Sequence, residues 1–501
     1  MTTTDTPTET ILSPEYRGFT VAILTIVALS AFEGLAVAAA LPQVAADLGG
    51  VALLPWVVTV FLLTVGVATI VAGAMVDRVG AGRTFRVSVV VFVLGGVAAG
   101  LAPSIEVLLA ARVVQGIGAG ATNAVALAAV GLVLPERLVG RAFAANATVW
   151  GVMSVAGPAI AAAMLTVASW RWIFLVNLPL GGAALALGWR QLPDRPAVEG
   201  GVQGRIDPLN LTLLTVFSVA SLVALDQLGW TSVPAVVLAL AAGWLVLRRT
   251  EGRADALVAP RHVVRAPFGP LAWGIALLLV GAIGTQSYVP LYISAGRGVS
   301  PALTAWSVLF FTLGWTSGAQ LSSRLMDRLG AMRVTTIGSL VVPPGTAAVG
   351  VAALLGAPLW VLFIALFVAG TGMGAATNSG LTLLRSLAPD AELGRATAAH
   401  QYVRSQGFAG GAALGGAVLL LVVATRTGDV EAVRGLLGEG GGGGALDPTL
   451  AAAVADGFGI AALAGAAVAS LAQLPFAALR RHDRRLAAAG ASPEPLPAPV
   501  D

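Results

Sequence analysis

Two charged residues stand inside long apolar runs, where charge is expensive: Glu33 in the run 18–41 and Arg112 in the run 105–134. An isolated charge at bilayer depth costs on the order of 2.5–3.5 kcal/mol or more, so a charge kept there is expected to be paired and to have a task. Each lies nine residues from a proline bounding its run, Glu33 before Pro42 and Arg112 after Pro103, which is roughly 13 Å along a helix at 1.5 Å per residue. The two are therefore expected at about the same depth. Arg112 then holds Glu33 ionised until a proton or a substrate intervenes, although each has the alternative of snorkelling or pairing elsewhere. Burial and the guanidinium act on the carboxyl in opposite senses, which is the chemistry of a group that takes up and releases protons. Asp226, 18 residues beyond Pro208, is a third candidate for proton coupling, with an interfacial, solvated carboxylate as its competing reading.

No other constellation resembles a reaction centre. Cysteine is absent, and His262, His400 and His482 lie far apart in the chain without metal-ligand spacing. No Ser-His-Asp grouping stands out, so no enzyme activity, metal or cofactor is expected.

The elements that hold Glu33 and Arg112 follow from composition. Of 501 residues, 57% are hydrophobic and 11% charged, against roughly 25% charged in soluble domains. Such a chain takes lipid as its solvent. The net charge of +4 is carried by arginine without lysine and gives no reason to expect nucleic acid as a partner. Residues Met1 to Pro14 lack the basic start of a secretory signal, so the first apolar run is expected to be a retained helix.

Apolar runs predict an all-α membrane protein of 14 transmembrane helices: 18–41, 55–76, 85–102, 105–134, 138–168, 172–190, 208–228, 233–248, 268–295, 301–325, 333–354, 358–385, 394–425 and 450–479. With the N-terminus in the cytoplasm, only Arg171, Arg297, Arg426 and Arg434 among the loop arginines fall outside, so both termini are expected inside. The predicted domains are a tail 1–17, a six-helix bundle 18–200, two inserted helices 201–260, a second six-helix bundle 261–485 and a disordered tail 486–501. A flexible outer loop is expected at 427–449, where Gly440 to Gly444 follow one another.

The halves repeat. Asp77-Arg78-Val79-Gly80-Ala81-Gly82-Arg83 returns 250 residues later as Asp327-Arg328-Leu329-Gly330-Ala331-Met332-Arg333. Gln115 to Asn123 likewise has a counterpart in Gly370 to Asn378, with glycines that let helices approach closely. A short charged turn kept twice between apolar runs marks a hinge at a membrane face and points to a transporter.

These residues resemble the major facilitator superfamily, specifically its 14-helix drug–proton antiporter branch, over nearly the whole chain. Gly73-Ala74-Met75-Val76-Asp77-Arg78-Val79-Gly80 looks like the loop signature between helices 2 and 3, with Ala81 and Gly82 delaying the basic Arg83. Leu108 to Arg112 and Gln115 to Gly118 are similar to the helix-4 signature carrying a buried arginine. Trp170 to Pro179 matches a run typical of drug antiporters, and Arg205 to Pro208 with Gly229-Trp230 flank the extra helix as in that branch. Gly157-Pro158 belongs to the antiporter motif of helix 5, in which Met153 and Ala161-Ala162 replace glycines. The family's helix-1 Asp, nine residues before a proline, is here Glu33.

The resemblance implies two six-helix bundles about a central cavity, alternating access and conformational gating by Gly73, Asp77, Arg78, Gly80, Arg83, Asp327, Arg328, Gly330, Arg333, Gly157 and Pro158. Asp77 is expected to accept from helix N-termini or arginines across the seam between halves in the outward-open state. Polar or aromatic residues deep in the runs are candidates for the substrate path: Asn123, Asn146, Trp150, Gln286, Tyr288, Gln320, Asn378, His400, Gln401 and Arg404. Each has interhelical bonding or packing as its alternative. Glu106, opening its helix, reads as a partner of the helix dipole.

The expected function is proton-coupled export of small amphipathic molecules or drugs across a bacterial cytoplasmic membrane, by a monomer whose partners are substrate, protons and lipid. A cationic cargo is one option, because a mostly apolar cavity contains one acid. A proton-coupled importer of an organic nutrient and a lipid or metabolite exporter on the same scaffold are the alternatives.

Overall fold

The computed structural model describes residues 10–49, 53–192, 194, 207–226, 232–253, 255–299, 301–389, 392–427 and 447–488. Most of the predicted loop 427–449, Gly229-Trp230, Arg205 and the tail beyond Ala488 lie outside the described residues. Every regular element among the described residues is a helix, as expected of apolar segments whose backbone must satisfy its own hydrogen bonds in lipid. Two compact units result, residues 1–201 and 202–501, so the inserted helices go with the second.

The first unit contains α1 (Pro14–Leu48), α2 (Leu54–Val79), α3 (Ala81–Gly100), α4 (Ile105–Val133), α5 (Glu136–Val167), α6 (Arg171–Leu175) and α7 (Asn177–Gly188). The second contains α8 (Pro208–Asp226), α9 (Val233–Thr250), α10 (Pro260–Val263), α11 (Phe268–Leu291, continued by a π-turn at Tyr292–Gly296), α12 (Pro301–Leu329), α13 (Ala331–Leu354), α14 (Leu359–Leu387), α15 (Leu393–Thr427), α16 (Pro448–Leu471) and α17 (Gln473–Ala488).

Eleven helical segments among the described residues are long and apolar enough to cross a membrane. That is fewer than the 14 expected. The other three predicted runs coincide with α5, α8 and α12, each of which is helical. α12 carries Gln320, Ser322, Ser323 and Arg324 among its apolar residues.

Several boundaries differ from those expected. Pro42 does not end α1, which runs on to Leu48, and its start at Pro14 makes the last residues of the predicted tail helical. The run 172–190 instead breaks at Val176, and the run 450–479 at Ala472. Each break falls three residues before a proline, Pro179 and Pro475, which have no N–H to give to the carbonyls of Leu175 and Leu471. α17 extends through Leu486 to Ala488, residues expected to be disordered.

The packing repeats as the sequence does. α2 and α3 both pack on α4, and α1 on α5; α12 and α13 both pack on α14, and α11 on α15. Close approach depends on glycine: a Cβ at Gly120 of α4 would collide with the Val65 carbonyl, and one at Gly374 of α14 with the Trp315 carbonyl. In the second unit α8 docks on α15 through Tyr402, whose hydroxyl lies 2.8 Å from Ser218 Oγ, while Gln406 donates to the same oxygen at 2.9 Å.

The two charged turns are one geometry. α2 and α3 are joined by Gly80 alone, at φ 90° and ψ 158°, and α12 and α13 by Gly330 alone, at φ 78° and ψ 155°. This region is essentially closed to residues with a Cβ and costs of order 1–3 kcal/mol when occupied by one. Gly80→Ala and Gly330→Ala are expected to lose about that much stability each, read as a lower thermal midpoint of the purified chain. Gly182→Ala, on α7 with open space around it, is the control and should be neutral or stabilising.

Candidate functional site

Glu33 on α1 and Arg112 on α4 meet in the interior of the first unit, at 0% and 1% exposure. Arg112 Nη1 donates to Glu33 Oε1 at 2.5 Å and to Gln115 Oε1 at 2.8 Å, and Nε donates to the Val57 carbonyl of α2 at 3.0 Å. Asn177, the first residue of α7, donates through Nδ2 to Glu33 Oε2 at 2.7 Å. The guanidinium lies over the Phe61 ring at 3.9 Å and reaches Phe174 at 5.6 Å. Both carboxylate oxygens are engaged, and the cluster ties together α1, α2, α4 and α7.

The surroundings explain why this pair stays together. Phe32, Ala36, Val37, Val57, Leu108, Ala111 and Phe174 form an apolar shell around it, so neither charge has water to fall back on. Breaking such a buried pair by removing one partner costs about 3–5 kcal/mol, because the other is left uncompensated. Space is tight as well: a Cβ on Gly96 of α3 would come within 3.2 Å of both Asn177 Nδ2 and Gln115 Nε2. Gln115 Nε2 and Asn177 Oδ1 have no partner, which leaves the cluster one spare donor and one spare acceptor.

Toward the end of α1, Asp47 accepts from Trp170 Nε1 at 3.0 Å and pairs with Arg171. The run Trp170 to Asn177 thus anchors α1 twice, through Asp47 and through Glu33.

Asn177 and Gln115 were not singled out as site residues by sequence. Gln115 lies one helical turn from Arg112 and so shares its face. Asn177 is an uncharged amide deep in an apolar run, a signal no stronger than that of Asn123 or Asn146.

The remaining candidates are scattered over both units. Asp226 is the last residue of α8, in the second unit. Asp77, Arg78 and Arg83 flank the Gly80 turn, Asp327, Arg328 and Arg333 flank the Gly330 turn, Gly73 is buried in α2, and α5 runs unbroken through Gly157 and Pro158. Asn123 is half-buried on α4, Trp150 is 42% exposed on α5, and Asn146 borders a small apolar pocket with Phe19, Ile23, Leu127 and Phe143. Asn378 joins α14 to α12, donating to Ser322 Oγ at 2.7 Å and the Ala319 carbonyl at 3.2 Å, so its geometry is that of a helix tie. Gln286 and Tyr288 are on α11 and Gln320 on α12, and Tyr288 lies against Gly416. His400 and Gln401 lie about one turn before Arg404 on α15.

A second ionic cluster gathers around Glu392. Glu392, ahead of α15, meets Arg261 of α10 at 2.6 Å, His262 Nε2 at 3.1 Å and Arg395 at 3.9 Å. Burial pushes the His262 imidazole below its ordinary value, against the opposing hydrogen bond to Glu392. Burial alone would raise the Glu392 carboxyl, but His262, Arg261 and Arg395 together hold it below the usual carboxylate range. Among the described residues no group of His, Cys, Asp or Glu is placed to hold a metal ion.

Comparison with known proteins places this geometry. A family model described as Major Facilitator Superfamily matches residues 21–412. An "Uncharacterized MFS-type transporter" of Mycobacterium tuberculosis (strain ATCC 25618 / H37Rv) is 29% identical over 434 residues, 83% of this chain; the chain spans 62% of that relative's length. A "Probable multidrug-efflux transporter" of the same strain is 30% identical over 438 residues, covering 85% of this chain and 92% of that protein. Among solved structures, the human organic anion transporter MFSD10 (TETRAN) aligns with a TM-score of 0.62 over 93% of this chain and 99% of its own, at 13% identity, a likeness of fold.

Two expectations follow. Glu33→Ala or Arg112→Ala should each destabilise the chain by about 3–5 kcal/mol, whereas Glu33→Leu combined with Arg112→Met should cost less than either; thermal unfolding of purified variants reads this. Both shifts in the second cluster are downward, from 6.5 for His262 and 4.5 for Glu392. Their contribution to stability is therefore full above pH 6.5 and is lost as pH falls through the depressed values. His262→Gln should flatten the acid side of a plot of thermal midpoint against pH.

Proposed function

The chain belongs to the major facilitator superfamily, and on that premise we propose that it exports small amphipathic molecules across the bacterial cytoplasmic membrane in exchange for protons. The observation that carries this reading is the sealed cluster of Glu33, Arg112, Gln115 and Asn177. A carboxylate so buried, in a chain whose efflux relative covers most of its length, is a proton site before it is anything else.

The geometry supports a specific sequence of events. With Glu33 ionised, its two oxygens clamp α1 to α4 and α7. Protonation removes the charge that Arg112 faces, and the guanidinium then depends on Gln115 and the Val57 carbonyl. α1 is thereby loosened from α4, a local change that biases a larger rearrangement. Protonation from outside favours the return to the inward-facing state, and release inside readies the site for cargo.

In this reading α5, α8 and α12 join the eleven apolar helices to make 14 crossings with both termini in the cytoplasm. The turns at Gly80 and Gly330, with Asp77, Arg78, Arg83, Asp327, Arg328 and Arg333, serve as gating elements between the halves. Gly157 and Pro158 contribute to gating through α5, and Asp226 is held as a second acid for coupling. The chain works as a monomer.

Inverted membrane vesicles with an imposed proton gradient, given cationic, neutral and anionic amphipathic dyes separately, test the proposal. At least one dye should accumulate, the uncoupler should abolish it, and Glu33→Gln should reduce it to the uncoupled level. Gradient-driven uptake that persists in Glu33→Gln would remove Glu33 from the coupling, and no uptake of any dye would contradict proton-driven export.

A further inference from the structure

Arg112 and Arg404 both lie within apolar helices, and their surroundings are opposite. Arg112 has a carboxylate, an amide oxygen and a carbonyl. Arg404, 11 residues into α15, makes no hydrogen bond or ion pair among the described residues. Its contact is the Phe408 ring, 5.2 Å from the guanidinium carbon, and its Nε is sealed from solvent without a partner. A cation in that setting is costly, so a protein that keeps one is expected to meet it with an anion.

The same turn carries further unmet groups. His400 Nδ1 and Gln401 Oε1 are also buried without partners. At 3.6 residues per turn, His400, Gln401, Arg404 and Phe408 fall within an arc of about 100° on α15. Tyr402 and Gln406, whose polar atoms bond Ser218 of α8, lie on the other side, roughly 160° around the helix from Arg404 and Phe408. The helix thus has one polar face satisfied by α8 and another left open.

Beside the open face is an aromatic row. Phe408 stacks on Trp315 of α12 with centroids 6.2 Å apart and planes 20° apart, and Trp315 meets Phe311 edge-on at 5.9 Å. Such a row accommodates a flat apolar body.

We propose that Arg404 is the anion-recognising group of the transport site, and that the cargo is an aromatic organic acid carrying a hydrogen-bond donor beside its oxyanion. The proposal rests on the export reading and names the cargo's class. Arg404 grips the oxyanion with its planar fork, Gln401 Oε1 accepts from the neighbouring hydroxyl or amine, and Phe408 with Trp315 packs on the ring. The case for a cationic cargo correspondingly weakens: Glu33, the acid that motivated it, has both oxygens occupied inside the first unit.

The test is ligand-dependent thermal stability of the purified full chain in detergent, with salicylate, salicylamide, benzylamine and inorganic phosphate as probes. A ligand that binds the folded state alone raises the midpoint with its concentration. Salicylate should raise it; the neutral salicylamide and the cationic benzylamine should not. Arg404→Gln should raise the midpoint of the ligand-free chain, since it removes an uncompensated charge, and should abolish the salicylate response; Arg404→Lys should retain part of it. The proposal is overturned by an equal response to salicylamide, by an undiminished salicylate response in Arg404→Gln, or by no response of the wild type to salicylate. A response to phosphate alone contradicts the aromatic acid, and a ligand-free Arg404→Gln chain less stable than wild type contradicts an unpaired cation. No gradient enters this measurement, so its failure leaves proton-driven export standing, and failure of the vesicle experiment leaves the anion site standing.

Discussion

The first unit is organised around one buried ion pair. Glu33 and Arg112 cannot be separated inside the apolar shell without leaving a charge uncompensated, so the helices that supply them and their partners are held in fixed relation. α2 enters through the Val57 carbonyl, and α7 through Asn177. The break at Val176 matters here, because it starts a new helix at Asn177, the residue that meets the carboxylate. A single proton on Glu33 changes what all four helices share. In the proposed cycle, that is how a local charge change becomes a mechanical one.

The second unit repeats the packing of the first without repeating its electrostatics. Its helices pair in the same order, and its turn at Gly330 has the backbone of the turn at Gly80. Arg404 of α15 nevertheless has no carboxylate among the described residues, whereas Arg112 of α4 has one. The two units are alike where glycine sets helix contact and differ where charge sets chemistry. The two proposals together divide the labour, with the proton held in the first unit and the cargo's charge met in the second.

Much of this was legible in the residues. The apolar runs located most of the helices, the twin charged turns marked both halves, and Glu33 and Arg112 stood out because charge is rare in such a chain. Their pairing was expected from equal depth only with alternatives, because depth says nothing about rotation of a helix about its axis; the packed helices bring the two together. The depth estimate itself leaned on Pro42 as a helix end, whereas α1 runs on to Leu48. Asn177 and Gln115 stayed hidden for a related reason: an amide in a long helix is visible in sequence, but the carboxylate it meets 144 residues away is not. Arg404 was visible as a charge, and only the packed helices reveal that nothing among the described residues answers it. The glycines were easier, since a residue that must sit at positive φ or under a neighbour's carbonyl leaves little choice.

The central claim is that Glu33, though buried against an arginine, changes protonation state during the cycle. Infrared difference spectroscopy of the reconstituted chain, stepped between acid and alkaline pH, addresses it directly. The account predicts a protonated-carboxyl band that grows toward acid pH and is missing in Glu33→Gln. A band unaltered by Glu33→Gln, or a Glu33 that stays ionised across the whole pH range in which transport runs, would contradict it.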